Sequence, residues 1–285
     1  MKTIAFFVTF TTCKLELSHM TLIESIIIAI VEGITEYLPI SSTGHMIIAE
    51  RLLMLPKDDV FTKLFTVAIQ LGAILSVVVL YWRKFFDFSK WQFYLKLAVA
   101  VVPALGIGYL LSDKIDELLE SPATVAISLL LGGFVLLFID KVFDKPIIEK
   151  DRNITYPKAF IIGLWQCVAM IPGVSRSAAS IIGGMQQKLS RKLAAEFSFF
   201  LAVPTMAAAT GYKLLKTYKE NPEVLQDKQN LMVLAVGNLV AFVVALLAIK
   251  FFITFLQRYG FRLFGWYRII VGVILLALIY AGYLK

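Results

Sequence analysis

Cysteine is nearly missing from this 285-residue chain; Cys13 and Cys167 are the only two. Two thiols support neither a disulfide framework nor a zinc site, and Cys167 lies in an apolar run where packing explains it. Histidine is as scarce, with His19 and His45 alone. Charge is thin too. Asp, Glu, Lys and Arg make up 17% of the residues, against about a quarter in a soluble domain. That shortage, with 59% hydrophobic residues and a mean hydropathy of +0.80, excludes an ordinary soluble domain. Apolar stretches such as 65–82, 123–139 and 231–255 instead suit a hydrocarbon core about 30 Å thick. We expect an all-α polytopic membrane protein. The net charge of +8 does not signal nucleic acid, because the basic residues sit between apolar segments, where membrane orientation needs them.

Residues 1–19, MKTIAFFVTFTTCKLELSH, resemble a short signal peptide but are followed by no small-residue cleavage site. Met20 opens a plausible chain of its own. We therefore expect an over-extended start at 1–19 and one integral membrane domain over 20–285, and give His19 no role.

Ten helical segments are predicted, at about 22–38, 42–54, 64–83, 91–111, 122–143, 157–171, 175–187, 193–215, 231–256 and 266–284. Proline ends or kinks a helix because it lacks an N–H donor and clashes with the preceding turn. Pro39 breaks the first segment from the second in this way, and Pro172 with Gly173 breaks the sixth from the seventh. Each pair reads as a re-entrant helix hairpin, leaving six spans.

On that topology Arg83, Lys84, Lys90, Lys145, Lys150, Arg152, Lys188, Arg191, Lys192, Arg258 and Arg262 face one compartment. Lys57, Lys63, Lys114, Lys216, Lys219, Lys228 and Lys285 face the other, mixed with acids such as Asp113, Asp116, Glu117 and Glu120. The first side, richer in basic residues, is expected to be cytoplasmic, with both termini outside. LPISSTG at 38–44 matches IPGVSRS at 171–177, an offset of 133 residues. Matching broken helices in spans of opposite orientation mark an inverted-topology repeat, here with halves at about 20–111 and 155–256, and their broken elements meet at a midplane site.

The stretch 31–48, VEGITEYLPISSTGHMII, is the polar exception in this oily chain. Glu32 and Glu36 stand at i, i+4 on one helical face. Carboxylates so close within a bilayer need a shared proton, a cation partner or a metal; the plainer reading is a solvated pair at the helix end. Ser41, Ser42, Thr43 and Gly44 begin a helix, whose free N–H groups favour an anion, although one hydroxyl suffices for capping. His45 falls one turn after Ser42; it faces the same anion or is a core histidine on a backbone carbonyl. Ser175, Arg176 and Ser177 repeat the arrangement. Arg176 offers a rigid fork for phosphate, or forms a buried pair with Glu32 or Glu36. Gln70 and Gln166 line the cavity or bridge helices, and Arg191 with Glu196 is expected to form an interfacial pair.

These motifs closely resemble the undecaprenyl-diphosphate phosphatase family associated with bacitracin resistance. EGITEYLPISSTGH matches that family's glutamate-rich motif and PGVSRS its arginine-bearing motif, while FTVAIQLGAILSVVVLYWR and AAEFSFFLAVP are similar to further family segments. The likeness runs from about Met20 to Lys285; Ala178, where the family commonly has glycine, departs from it. The resemblance implies a multi-pass protein of the bacterial cytoplasmic membrane that removes the terminal phosphate from a C55 polyprenyl diphosphate. The products are the carrier lipid for peptidoglycan synthesis and inorganic phosphate.

Carried over by motif, Glu32, Glu36, Ser42, His45 and Arg176 are the catalytic set, with Ser41, Thr43, Gly44, Ser175 and Ser177 around the phosphates. A divalent cation, Mg²⁺ or Ca²⁺, is expected at Glu32 and Glu36. The nucleophile is left open among Ser42, His45 and water. Access is expected from the outer side, and a homodimer is carried as an expectation. The phosphatidic-acid-phosphatase class is set aside, since no second histidine follows His45. A lipid-phosphate transporter stays as the rival reading, because broken inverted repeats also suit transport.

Overall fold

The computed structural model describes residues 20–56, 59–111, 114, 115, 118, 121–282 and 284. The expected extension at 1–19, Lys57, Lys285 and the acids Asp113, Asp116, Glu117 and Glu120 lie outside them. Ten main helices follow in order: α1 Leu22–Thr35, α2 Ser42–Leu52, α3 Val60–Leu80, α4 Trp91–Leu110, α5 Pro122–Val142, α6 Tyr156–Cys167, α7 Arg176–Gln186, α8 Arg191–Glu220, α9 Lys228–Tyr259 and α10 Arg262–Tyr280. Among the described residues there is no strand, only an isolated bridge between Ile148 and Leu189.

Among the described residues six helices are long and apolar enough to cross a membrane: α3, α4 with the turn before it, α5, α8, α9 and α10. The other four are too short. α1, the longest at 14 residues, reaches only about 21 Å at 1.5 Å per residue, short of a core about 30 Å thick. Local chemistry sets their limits. Thr21 and Glu24 form a capping box at the start of α1, with Thr21 N donating to Glu24 at 2.7 Å. α1 ends at Thr35, one turn ahead of Pro39. α6 ends at Cys167 and relaxes through a 3₁₀ turn, Val168–Met170, before Pro172.

The predicted helices are all present, with shifted ends. The eighth runs 191–220 rather than 193–215, because Ser190 caps it through Leu193 N and Pro204 is absorbed inside it. The tenth begins at Arg262, not 266.

α9 packs along α3 and α1, α4 against α6, and α10 along the length of α5. The last contact is close because it is bare: a Cβ on Gly133 would lie 2.9 Å from the Gly265 carbonyl, and one on Gly265 2.9 Å from the Gly133 carbonyl. Small residues that let backbones approach are the usual means of joining helices in lipid. The central core is aromatic, with Tyr37, Phe93, Phe197, Phe199, Phe200 and Phe252 buried together. Leu131, Phe138, Leu239, Leu247 and Phe251 stand exposed on the outside of the spanning helices, as lipid contact requires.

Candidate active site

The two breaks place their polar residues by the same backbone device. After Glu36 the chain turns through 36–40 into Ser41, which has φ 71° and ψ 97°; Ser175 has φ 78° and ψ 117°. Positive φ in a residue other than glycine costs on the order of 1–3 kcal/mol and gathers at functional sites. Each serine then caps the helix it precedes. Ser41 Oγ accepts from Gly44 N and Ser175 Oγ from Ala178 N, both at 3.3 Å. The first residues of the two helices are thereby Ser42 and Arg176.

Both meet at Glu36, which is 4% exposed. The Ser42 hydroxyl donates to Glu36 Oε2 at 2.6 Å, and Arg176 Nη2 donates to Glu36 Oε1 at 2.6 Å. Arg176 is further held by its Nη1 on the Ser198 carbonyl at 3.1 Å, and its guanidinium lies 5.7 Å over the Tyr37 ring. Ser177 donates to the Leu38 carbonyl at 2.8 Å and lies 3.0 Å from Ser175 Oγ, so the second break is tied to the first. Of the two partners expected for Arg176, the structure selects Glu36.

Glu32, one turn earlier and fully buried, has neither carboxylate oxygen hydrogen-bonded. Arg176 Nε is likewise buried without an acceptor. An unsatisfied acceptor pair and an unsatisfied charged donor thus flank one ion pair, where buried polar groups are almost always satisfied.

His45 looks elsewhere. Its Nδ1 is 2.7 Å from the Ser41 carbonyl and its Nε2 2.7 Å from the Tyr267 hydroxyl, with the two rings stacked at 5.6 Å. A carbonyl can only accept, so Nδ1 carries the proton and, in the neutral ring, Nε2 accepts from Tyr267. Thr43 is half-buried in the first turn of α2, and Gly44 faces Val125, whose Cγ1 would meet a Cβ at 3.0 Å.

Two expectations are corrected, and for Gln166 one of two alternatives is selected. Arg191 and Glu196 do not pair: Arg191 binds Asp140 at 2.6 Å, while Glu196 faces Lys84 and Lys192, each at 4.0 Å. Each is drawn to a different partner: Arg191 to Asp140 on α5, and Glu196 to Lys84 and to Lys192 one turn earlier on α8. Gln166 bridges helices, donating to Thr205 at 3.2 Å, though its own oxygen is unpartnered. The matching serines are 134 residues apart, not 133, because Gly173, at φ 89°, is an extra residue in the second turn.

The sequence reading missed the contribution of α10. Arg268 is wholly buried and donates only to main-chain carbonyls, those of both breaks and of Ser128 and Leu129 on α5, and Tyr267 beside it holds His45. A charged residue deep in an apolar helix is a functional signal. It passed unread because the helix was expected to begin at 266, which puts Arg268 at an interface rather than two turns inside.

A hydroxyl held on a carboxylate, shielded from lipid by spanning helices, gives this chain the character of a multi-pass membrane enzyme. Comparison with known sequences narrows the class. The family model described as bacitracin resistance protein BacA matches residues 25–274, and the chain belongs to that family. A relative in Flavobacterium johnsoniae, named undecaprenyl-diphosphatase, is 59% identical over 258 residues, covering 90% of this chain and 96% of its own. One in Porphyromonas gingivalis with the same name is 53% identical over 282 residues, 92% of this chain and 98% of its own. In Clostridioides difficile, undecaprenyl-diphosphatase 1 is 41% identical over 270 residues, with 91% and 97% covered.

Proposed function

We propose that the chain hydrolyses undecaprenyl diphosphate to undecaprenyl phosphate and inorganic phosphate, recycling the carrier lipid for cell-wall synthesis and conferring bacitracin resistance. The observation that carries this reading is the 2.6 Å bond from Ser42 to Glu36, whose other oxygen is held by Arg176. A hydroxyl bonded to a base that a third group orients is the arrangement of an activated nucleophile. Glu36 takes the Ser42 proton as the serine oxygen attacks the terminal phosphorus and the lipid monophosphate leaves. Water then releases phosphate from the serine. Arg176, with its free Nε–H, and the first-turn N–H groups of α2 and α7 stabilise charge on the phosphoryl oxygens. Both nitrogens of His45 are engaged, which favours Ser42 over His45 as the attacking group.

The donor set suits a divalent cation. Glu32 offers two unpaired buried oxygens, and among the described residues no group of three acidic, His or Cys side chains completes a metal site. Mg²⁺ is commonly held by one or two carboxylates plus substrate phosphates, so Glu32 with Glu36 would hold Mg²⁺ or Ca²⁺. When bound, the ion would offset phosphate charge.

The short helix pairs are best read as re-entrant hairpins of an inverted repeat. Ser41 and Ser175 share one backbone conformation and one capping bond, each before an 11-residue helix. The packing of α9 on α1 also has its counterpart in that of α4 on α6. The first hairpin then opens outward from the inner membrane, as the basic loops on the opposite face require. The prenyl chain then lies among the lipid-facing spans, whose exposed apolar side chains include Leu131, Phe138 and Leu247.

The test is phosphate release from C55 diphosphate by protein in detergent, beside Ser42→Ala, Glu36→Gln and Arg176→Ala, with and without EDTA. Release by the wild type, lost in all three variants, supports the reading. No release from folded wild type sinks it and leaves a lipid-headgroup transporter.

A further inference from the structure

Arg268 sits in α10 with none of its surface exposed. All five of its N–H donors have main-chain acceptors. Nε donates to Leu129 at 3.3 Å, Nη1 to Pro39 at 3.2 Å and Val174 at 2.8 Å, and Nη2 to Ser128 at 3.0 Å and Gly173 at 2.8 Å. Ser128 and Leu129 belong to α5. Pro39 lies in the turn that launches Ser42, and Gly173 and Val174 in the turn that launches Arg176. Among the described residues no carboxylate pairs with this guanidinium. Burying a charge without a counter-ion is expensive, and one guanidinium that reaches both turns gives the placement a purpose.

We propose that Arg268 is a positioning residue for hydrolysis: its guanidinium fixes the turn at Pro39 against the turn at Gly173–Val174, and thereby sets how Ser42 and Arg176 meet Glu36. The proposal rests on the hydrolase reading. The planar fork is what suits the task, because donors in a fixed plane hold three carbonyl groups at set separations where a single rotatable ammonium would not. Arg268 makes no hydrogen bond to the side chains of Ser42, Glu36 or Arg176, so its influence passes through backbone. Among the described residues the two breaks are also joined by the hydrogen bonds from Arg176 to Glu36 and from Ser177 to Leu38.

Gly132 supplies an independent observation. A Cβ there would lie 2.2 Å from Arg268 Nη2 and 2.7 Å from Cζ, whereas ordinary contact begins near 3.4 Å. α5 is bare at the one point where the guanidinium passes, so alanine at 132 would push the fork aside without removing a polar group.

The experiment measures kcat and KM for C55 diphosphate hydrolysis with wild type, Arg268→Lys and Gly132→Ala, each normalised to folded protein by size exclusion and thermal melting. Backbone hydrogen exchange over 40–45 and 174–179 is followed in parallel. Arg268→Lys keeps the charge and loses the fork; kcat should fall about 100-fold, the size expected of a misplacement near 1 Å, with KM little changed. Gly132→Ala should lower kcat by at least about 10-fold by the same route, although alanine suits the helix better than glycine. Exchange in both turns should quicken in either variant.

Folded variants with wild-type kcat and unchanged exchange would overturn the proposal and leave Arg268 as packing. If Arg268→Lys does not fold, Gly132→Ala decides alone. An inactive wild type would sink the hydrolase reading, and the exchange data would still decide whether Arg268 fixes the two turns.

Discussion

The Ser177 hydroxyl donates to the carbonyl of Leu38 at 2.8 Å, joining residues 139 apart in the chain. This bond crosses between the two broken helices just beside the ion pair of Arg176 and Glu36. Ser177→Ala removes it, while the Leu38 carbonyl keeps its bond from Ile40 N at 2.8 Å. We expect a loss of about 0.5–1.5 kcal/mol, the net worth of one neutral hydrogen bond, read as a lower melting temperature in detergent. A fall in phosphate release should accompany it.

Tyr267 and His45 should act as a pair. Tyr267→Phe keeps the stacked ring and removes the hydroxyl. A single neutral hydrogen bond is worth about 0.5–1.5 kcal/mol, so the rate should fall by no more than about 10-fold. His45→Ala should cost more but retain measurable release, since the attacking hydroxyl is assigned to Ser42. Complete loss in a folded His45→Ala, with Ser42→Ala retaining release, would reverse that assignment.

Glu32 should report the cation without any turnover. A ligand at 100 times its dissociation constant stabilises by about 2.7 kcal/mol, so Mg²⁺ or Ca²⁺ should raise the melting temperature of the wild type. Glu32→Gln should abolish that rise. A metal-induced rise that survives in Glu32→Gln would place the ion elsewhere.

The loop at Asp151 predicts an acid-sensitive edge. Burial pushes the Asp151 carboxyl up, but its hydrogen bond with Lys84 at 2.9 Å and the charge of Lys84 outweigh this and hold it below the usual value. A carboxyl lowered on folding adds stability above the ordinary aspartate value of about 3.9, and that stability is lost as the pH falls through the lower folded value. The wild type should therefore lose more melting temperature below about pH 4 than Asp151→Asn. Above that range the variant should be the less stable of the two.

Periodicity and proline made most of the architecture readable. Long apolar runs marked the spans, and Pro39 and Pro172 marked both breaks. The register of the second break was not readable, because Gly173 adds a residue that only its left-handed backbone reveals. The partners of Arg191 and Glu196 were also hidden: Asp140 and Lys84 reach them from other helices, and spacing along one segment says nothing of that. Glu36, Ser42 and Arg176 were legible as a group because oily surroundings make such residues conspicuous. Arg268 was equally conspicuous, but a helix start placed four residues late disguised its depth.

Glu36 divides its two oxygens between a hydroxyl six residues onward and a guanidinium 140 residues onward. During synthesis, the first half of that arrangement enters the membrane well before the second exists. A chain halted short of residue 176 carries the serine and its base but no cation to steer them. On the mechanism we propose, activity switches on late in biogenesis, truncated products are inert, and two separately expressed fragments would hydrolyse only where they find each other in the bilayer.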